Sequence, residues 1–284
     1  MSASIPAGAF DLQGHRGARG HAPENTLPGF ERALAFGVTT FELDVGVSRD
    51  GVVVIHHDRR LNPDLARGPD GRWVAAPARL LRELGFDELQ RYDVGRIRPG
   101  SEYAHRFPQQ QPIDGARIPA LGELLERYRT GSVRFNIELK LLPQAADETL
   151  PPEPFVGAVV AVLRKAGMEA RCTLQSFDWR AVKVAEREAP EIATAYLTEA
   201  SDSDPRKVAA AGARTWSPDF RALIPETCAA ARGLGLRVIP WTVNEPGDIR
   251  RVLGLGVDGI ISDYPDRVQQ ALGFESDQIR KRSP

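Results

Sequence analysis

The sequence predicts one α/β domain, a TIM (β/α)8 barrel with an insertion after its second strand. Three observations carry that reading. Strand-length apolar segments alternate with helix-length amphipathic ones eight times along 284 residues, which is the number of units that closes a parallel barrel. Polar and charged residues collect at the C-terminal ends of the strands, where a barrel builds its site, and the strand starts read as plain. The Gly-rich G-x-G-x-x-G turn of a doubly wound sheet is absent after the first strand.

The first strand is read at 9–13, running into Gly14-His15-Arg16-Gly17-Ala18-Arg19-Gly20, a loop whose small residues let backbone approach a ligand closely. Pro23-Glu24-Asn25-Thr26 reads as a helix start, and apolar Leu27, Phe30, Ala33 and Leu34 give the helix one buried stripe up to Gly37. Residues 39–47 form the second strand. The dipeptide Asp50-Gly51 turns the chain into the β-branched run 52–56, an extra strand. From 61 to 117 the alternation breaks, and Pro, Gly, Arg and Gln dominate. Within this insertion only 80–92 reads as helix, and Trp73, Tyr92, Tyr103 and Phe107 suggest either a wall over a site or a packed surface ornament. Regular alternation then resumes. Helices are expected at 121–129, 153–166, 179–188, 205–211, 225–232, 246–253 and 265–272, with strands at 133–139, 171–176, 192–197, 214–217, 237–242 and 259–262. The domain is taken to span 1–284, with 61–117 as a subdomain inserted within it.

Composition is that of an ordinary globular protein, 42% hydrophobic and 26% charged. Lys+Arg 37 against Asp+Glu 38 leaves a formal charge of -1, so no basic field recommends a nucleic-acid or membrane-surface partner. The two cysteines, Cys172 and Cys228, form neither a disulfide framework nor a zinc spacing and read as buried thiols, with a single bridge as the alternative. No apolar run is long enough to span a bilayer. The N-terminus lacks the basic start and apolar core of a signal peptide, so a cytoplasmic protein is expected, or a periplasmic or secreted one if a signal has been removed. Nothing in the sequence fixes an oligomeric state.

The chemistry centres on residues 41–58. Period two puts Glu42 and Asp44 on one face of a strand, where two buried carboxylates would repel unless a cation or a wet cleft separates them. The following strand ends in His56-His57-Asp58. The strand at 133–139 places Asn136, Glu138 and Lys140 on one face, and later strands deliver Gln175, Trp241 and Asp263 to the same rim. Three carboxylates without cysteine favour a hard, oxygen-seeking cation, Ca²⁺ or Mg²⁺ with Mn²⁺ as an alternative, over zinc. Arg16 and Lys140 would then face an anion, for which phosphate suits the arginine fork. Imidazoles flanking such a site fit general acid and base work at phosphorus, although a structural histidine bonding backbone is the rival reading for each.

In order along the chain stand His15-Arg16-Gly17, Pro23-Glu24-Asn25-Thr26, Glu42-Leu43-Asp44-Val45, Asp50-Gly51 with His57-Asp58, Ile118-Pro119-Ala120-Leu121, Ile137-Glu138-Leu139-Lys140 and Trp241-Thr242-Val243-Asn244. Over about residues 10 to 273 this series resembles the glycerophosphodiester phosphodiesterases; each tetrapeptide alone is weak, and the ordered set is specific. The resemblance implies a barrel with an insertion after the second strand. It also implies one divalent cation on Glu42, Asp44 and Glu138, with His15 and His57 as the acid–base pair and Arg16 and Lys140 on the phosphate. His56 falls where the motif leaves the residue free. Ala120 replaces a usual Thr and Leu139 a usual Ile or Val, both away from the chemistry. The expected reaction is hydrolysis of a small glycerophosphodiester to sn-glycerol 3-phosphate and an alcohol, with water or the glycerol 2-hydroxyl attacking first. Gln175 and Trp241 are further candidates for substrate contact. The alternatives are a lysophospholipase-D-like phosphodiesterase and a phosphate-ester-binding barrel without catalysis.

Overall fold

The computed structural model describes the backbone of residues 10–282 and the side chains of residues 10–273. The elements run β1 (Asp11–His15), α1 (Leu27–Ala35), β2 (Thr40–Val47), β3 (Val53–Ile55), α2 (Phe86–Leu89), α3 (Glu102–Arg106), α4 (Leu121–Arg127), β4 (Arg134–Leu139), α5 (Pro152–Ala166), β5 (Cys172–Ser176), α6 (Trp179–Glu188), β6 (Ala193–Thr198), α7 (Pro205–Ala210), β7 (Thr215–Pro218), α8 (Pro225–Gly233), β8 (Arg237–Val238), α9 (Pro246–Gly254), β9 (Gly259–Ser262) and α10 (Pro265–Arg282). Parallel pairing follows the order β8-β7-β6-β5-β4-β2-β1-β9, and β3 lies antiparallel on β2. The seam between β8 and β9 is drawn together by Ile261 N–H donating to Pro240 O at 2.9 Å and Val243 N–H donating to Ile261 O at 3.0 Å. The result is a nearly closed barrel of eight parallel strands, as expected.

Outward-facing Phe41, Leu43, Phe135, Ile137, Leu174, Tyr196 and Trp216 are buried beneath the helix ring. Each helix lays an apolar stripe on them, such as Phe155, Val156, Val159, Val160 and Leu163 of α5. Capping residues set several helix starts: Thr26 accepts from Gly29 N–H, and Asp178 and Asp204 accept from the N–H groups of Arg180 and Arg206. Gly51 (φ 83) makes the turn from β2 into β3. Both cysteines are buried and free.

The last helix, expected at 265–272, runs on to Arg282, and four further details depart from expectation. The first strand runs to His15, so that histidine is carried by a ladder rather than a loop; Ala9 lies outside the described residues. The helix expected at 80–92 is split into a 3₁₀ turn at Leu81–Glu83 and α2, because Gly85 turns extended (φ -70, ψ 159). Glu83 and Glu88 each accept from the backbone N–H three residues earlier and start two separate turns. Short α3, capped by Ser101 Oγ on Ala104 N–H, carries no apolar period long enough to be foreseen. The strand expected at 237–242 is regular only at Arg237–Val238, since Pro240 has no N–H to give a ladder.

The segment between β3 and α4 packs one apolar cluster around Val54, Leu61, Leu81, Leu84, Leu89 and Ile118. A second cluster, Leu65, Ile97, Tyr103, Phe107 and Tyr264, ties it to the end of β9. Among the described residues no helix is long and apolar enough to cross a membrane.

Candidate functional site

Strand register assembles the site. His15 pairs with Glu42 and Glu42 with Asn136; Asp44 pairs with Glu138 and Glu138 with Gln175. Paired residues in adjacent parallel strands share a face, so His15, Glu42, Asp44, Glu138 and Gln175 all point into the upper barrel. Glu42, Asp44 and Glu138 are buried, and each offers an oxygen within 4.8 Å of the others.

These carboxylates are not equivalent. Burial, then the charges of Asp44 and Glu138, push Glu42 well above the ordinary carboxylate range. Burial and Asp44 also raise Glu138, against the pull of Lys140. Asp44 goes the other way: despite burial, Arg16, His57 and Lys140 hold it well below the usual range. Its Oδ2 accepts from Asn25 Nδ2 at 2.9 Å and lies 3.2 Å from Arg16 Nε, while buried Oδ1 has no hydrogen-bond partner and Lys140 Nζ stands 3.6 Å away. Glu42 is fixed from both sides, by Gln175 Nε2 and by Arg16 backbone N–H, each at 3.0 Å. Arg16 reaches that oxygen from a left-handed backbone (φ 53), as does neighbouring Asn25 (φ 53), a conformation that non-glycine residues keep only when their surroundings enforce it. A hard divalent ion fits this donor set: oxygen ligands, an orphaned buried carboxylate oxygen, and two carboxyls pushed toward protonation without a cation.

Each candidate histidine is backed by a carboxylate. His15 Nδ1 lies 2.7 Å from Asp263 Oδ1. A carboxylate only accepts, so the proton sits on Nδ1 and leaves Nε2 with a lone pair facing the site, 3.8 Å from Glu42 Oε2. Arg19 Nη2, 3.1 Å from the same nitrogen, is then a neighbour and not its donor. Asp263 is held by Arg19 Nε at 2.7 Å and Asn244 Nδ2 at 2.7 Å. Burial, with Arg19 next, lowers the His15 pKa to about 4. His57 Nδ1 lies 2.8 Å from Asp58 Oδ1, whose other oxygen accepts from Asn62 Nδ2 at 2.6 Å. Burial and Arg16 lower His57 as well, so both imidazoles rest neutral. His56 is different: its Nε2 contacts Arg60 O at 3.2 Å, a bond to backbone.

The remaining candidates also meet here. Lys140 Nζ donates to Glu138 Oε1 at 2.7 Å, and Arg16 Nη1 donates to Glu24 Oε1 at 2.8 Å. Both ends of the Gln175 amide are taken by protein, Nε2 on Glu42 and Oε1 accepting from Asn136 at 3.0 Å, so it reaches the cleft as a support of Glu42. Trp241 is pinned by Nε1 donating to Ser217 O at 3.0 Å and stands edge-on to Phe177, ring centroids 5.3 Å apart. These groups border one cleft of about 650 Å³ at the C-terminal ends of the strands.

Sequence reading gives no role to Asn244, Arg19 or Glu24, places Asp263 at the rim without a partner, and reads Tyr103 only as part of a wall over the site or of a surface ornament. Tyr103, from the insertion, donates through its hydroxyl to Glu24 Oε2 and accepts from Arg19 Nη1 at 3.2 Å. Glu24 and Asn244 lie inside quoted motifs, and Asp263 closes the last strand, so their positions were visible and their contacts were not.

Fold and site together define a TIM-barrel protein with a buried carboxylate cluster and two carboxylate-backed histidines at the C-terminal rim of its strands. Residues 15–267 match the glycerophosphoryl diester phosphodiesterase family, and the chain belongs to it. A glycerophosphodiester phosphodiesterase of Caldanaerobacter subterraneus is 28% identical over 89% of this chain and 93% of its own. One of Bacillus altitudinis is 30% identical over 89% and 94% respectively. Among solved structures, a Silicibacter pomeroyi protein described as a candidate glycerophosphoryl diester phosphodiesterase superposes with a TM-score of 0.89 at 38% identity, covering 97% of each chain. An Oleispira antarctica phosphodiesterase in complex with the product sn-glycerol-3-phosphate gives 0.73 at 26% identity, over 93% of this chain and 97% of that one.

Proposed function

We propose that this chain hydrolyses small glycerophosphodiesters to sn-glycerol 3-phosphate and an alcohol, with one divalent cation, Ca²⁺ or Mg²⁺ (Mn²⁺ as a substitute), on Glu42, Asp44 and Glu138. The observation that carries the reading is the convergence of this buried triad with two neutral, carboxylate-backed histidines on one cleft in a chain of this family. The cation, when bound, supplies charge for a phosphoryl oxygen.

The chain's own residues do the rest. Arg16 and Lys140 lie against the triad with donors free to meet a phosphate and stabilise charge that grows on it. His15 and His57, each with its Nδ1 proton held by an aspartate, present Nε2 for proton transfer. One accepts the proton of the attacking oxygen, from water or the glycerol 2-hydroxyl. The other must arrive protonated to release the alkoxide, and the negative phosphate raises the proton affinity of whichever imidazole it touches. Gln175 holds Glu42 in place, and Trp241 with Phe177 forms an aromatic wall for the substrate's carbon skeleton.

The test is turnover of glycerophosphocholine, glycerophosphoethanolamine and glycerophosphoglycerol, abolished by chelation and restored by Ca²⁺ or Mg²⁺. Protein inactive on all three with either metal would refute the proposal. Partly exposed Leu142 and Phe177 at the same cleft favour a second reading, a lysophospholipid substrate. Competition between glycerophosphocholine and lysophosphatidylcholine decides between the two.

A further inference from the structure

Plain strand starts were expected, and the structure shows otherwise. Arg134, Arg171, Arg214 and Arg237 gather at the N-terminal end of the barrel, around a second cavity of about 480 Å³. The cavity exists because the lumen is underfilled. Register places Thr173, Ala193, Ala195 and Ser217 on the inner face, where barrels of this type stack bulky side chains.

Four arginines and four carboxylates line this mouth, but they are unevenly paired. Arg237, half-buried and paired in register with Thr215, has no side-chain partner among the described residues, and neither has exposed Arg214, which directly precedes β7 and is joined through Arg237 N–H to Arg214 O at 2.9 Å. Arg171 spends its donors on the carbonyls of Tyr128, Arg129 and Val133, so no carboxylate neutralises it. The lining acids are mostly committed: Asp11 to Arg134 at 2.9 Å, Glu186 to Lys183 at 2.9 Å, Glu191 to Arg164 at 2.7 Å. Glu169 alone among them has no cationic partner. Deeper in, Asn136 gives Nδ2 to Gln13 and Gln175 while its buried Oδ1 has no donor, an arrangement that costs free energy unless something supplies one.

We propose that this lower cavity is a second ligand site, separate from the catalytic cleft, for a small phosphate-class oxyanion held by Arg237 and Arg214. A planar guanidinium meets two oxygens of such an anion at once, and the partial burial of Arg237 strengthens its contact. A hydroxyl on the same ligand, or an ordered water, would supply the donor that Asn136 Oδ1 lacks.

The test is site-resolved labelling of the intact protein with phenylglyoxal, read by mass spectrometry at each arginine, with inorganic phosphate, glycerol phosphate or ionic-strength-matched chloride present. Phosphate should slow labelling of Arg237 and Arg214 severalfold against chloride and leave exposed Arg72 unaffected. Stronger protection by glycerol phosphate than by phosphate marks a hydroxylated ester as the ligand; equal protection marks the free anion. In R214Q the protection of Arg237 should weaken while phosphodiester turnover stays unchanged, which separates this site from the catalytic one. Arg237 labelled as fast in phosphate as in chloride, or protected only when Arg16 is protected and unaffected by R214Q, would overturn the proposal.

Discussion

The two sides of the barrel solve different problems with the same strand geometry. On the side formed by β9, β1, β2 and β4, inward residues of the upper layer are charged or titratable: His15, Glu42, Asp44 and Glu138, with Asp263 just past β9. On the side formed by β6 and β7 the inward positions hold Ala195, Leu197 and Ser217. Behind that second wall lie Tyr196 and Trp216, fully buried against the helices. One side holds repelling carboxylates in place with Arg16, Lys140 and Gln175; the other contributes room inside and apolar packing outside. Substitutions on the first side should therefore cost activity and spare stability, and those on the second should cost stability and spare the chemistry.

The largest separation is expected at Glu138. Glu138→Gln removes a proposed cation ligand and should lower turnover by about 10³-fold, the loss of several kcal/mol of transition-state charge stabilisation. Because burial and Asp44 already oppose ionisation of Glu138, the metal-free variant should melt no lower than metal-free wild type. Thermal denaturation in chelator together with steady-state kinetics checks both halves. A variant that turns over normally, or unfolds, breaks the contrast.

Trp216→Ala should do the reverse. Its ring is fully buried and its Nε1 donates to Thr198 Oγ1 at 2.9 Å, so truncation leaves a cavity and removes one of the two partners of that hydroxyl, which keeps Ser203 Oγ at 2.7 Å. A loss of about 3–5 kcal/mol in denaturant unfolding is expected, with near-normal turnover per folded molecule at low temperature. Inactive but stable protein would place chemistry on the plain side.

How much of this contrast the sequence discloses depends on how far apart the partners lie. Glu42 and Asp44 on one face follow from period two within a single strand, and Glu138 joins them once the order of strands is known. The alternation that gives the barrel is equally local. The aspartate behind His15 is not: residues 15 and 263 meet because β9 pairs with β1, 248 positions apart. Tyr103 comes from a stretch with no period to read, and the break at Gly85 depends on two glutamates capping consecutive turns, which composition alone does not separate from one longer helix. The lower arginines are hidden for another reason: in a sequence, an arginine at a strand start looks like solvent-facing charge, and only the fold reveals its lack of a partner.

A smaller effect tests the support of His15. Asp263→Asn keeps the shape but replaces the acceptor that holds the Nδ1 proton, and it weakens the grip of Arg19 and Asn244. Turnover should fall by about 10- to 100-fold, the usual loss when a partner orienting a working imidazole is removed. KM should change little, because Arg16 and Lys140 are untouched. A change confined to KM would make Asp263 part of substrate binding instead.

The smallest effect expected is at Tyr103, where the insertion touches the charged side. Its hydroxyl donates to Glu24 Oε2, and Glu24 in turn holds Arg16 at 2.8 Å through the other oxygen. Tyr103→Phe keeps the ring between Phe107 and Arg106 and deletes the hydroxyl, which leaves one oxygen of a buried carboxylate without a partner and also removes the acceptor of Arg19 Nη1 at 3.2 Å. An unpartnered buried acceptor costs about 1–3 kcal/mol, shared here between global stability and a looser Glu24. Because Glu24 orients Arg16, the looseness should surface as a severalfold rise in KM for a glycerophosphodiester with kcat nearly kept. If the insertion were only a surface ornament, the variant would lose stability and leave KM where it was. Measuring KM and the melting temperature on the same preparation therefore shows whether this loop is joined to the charged wall or merely lies on top of it.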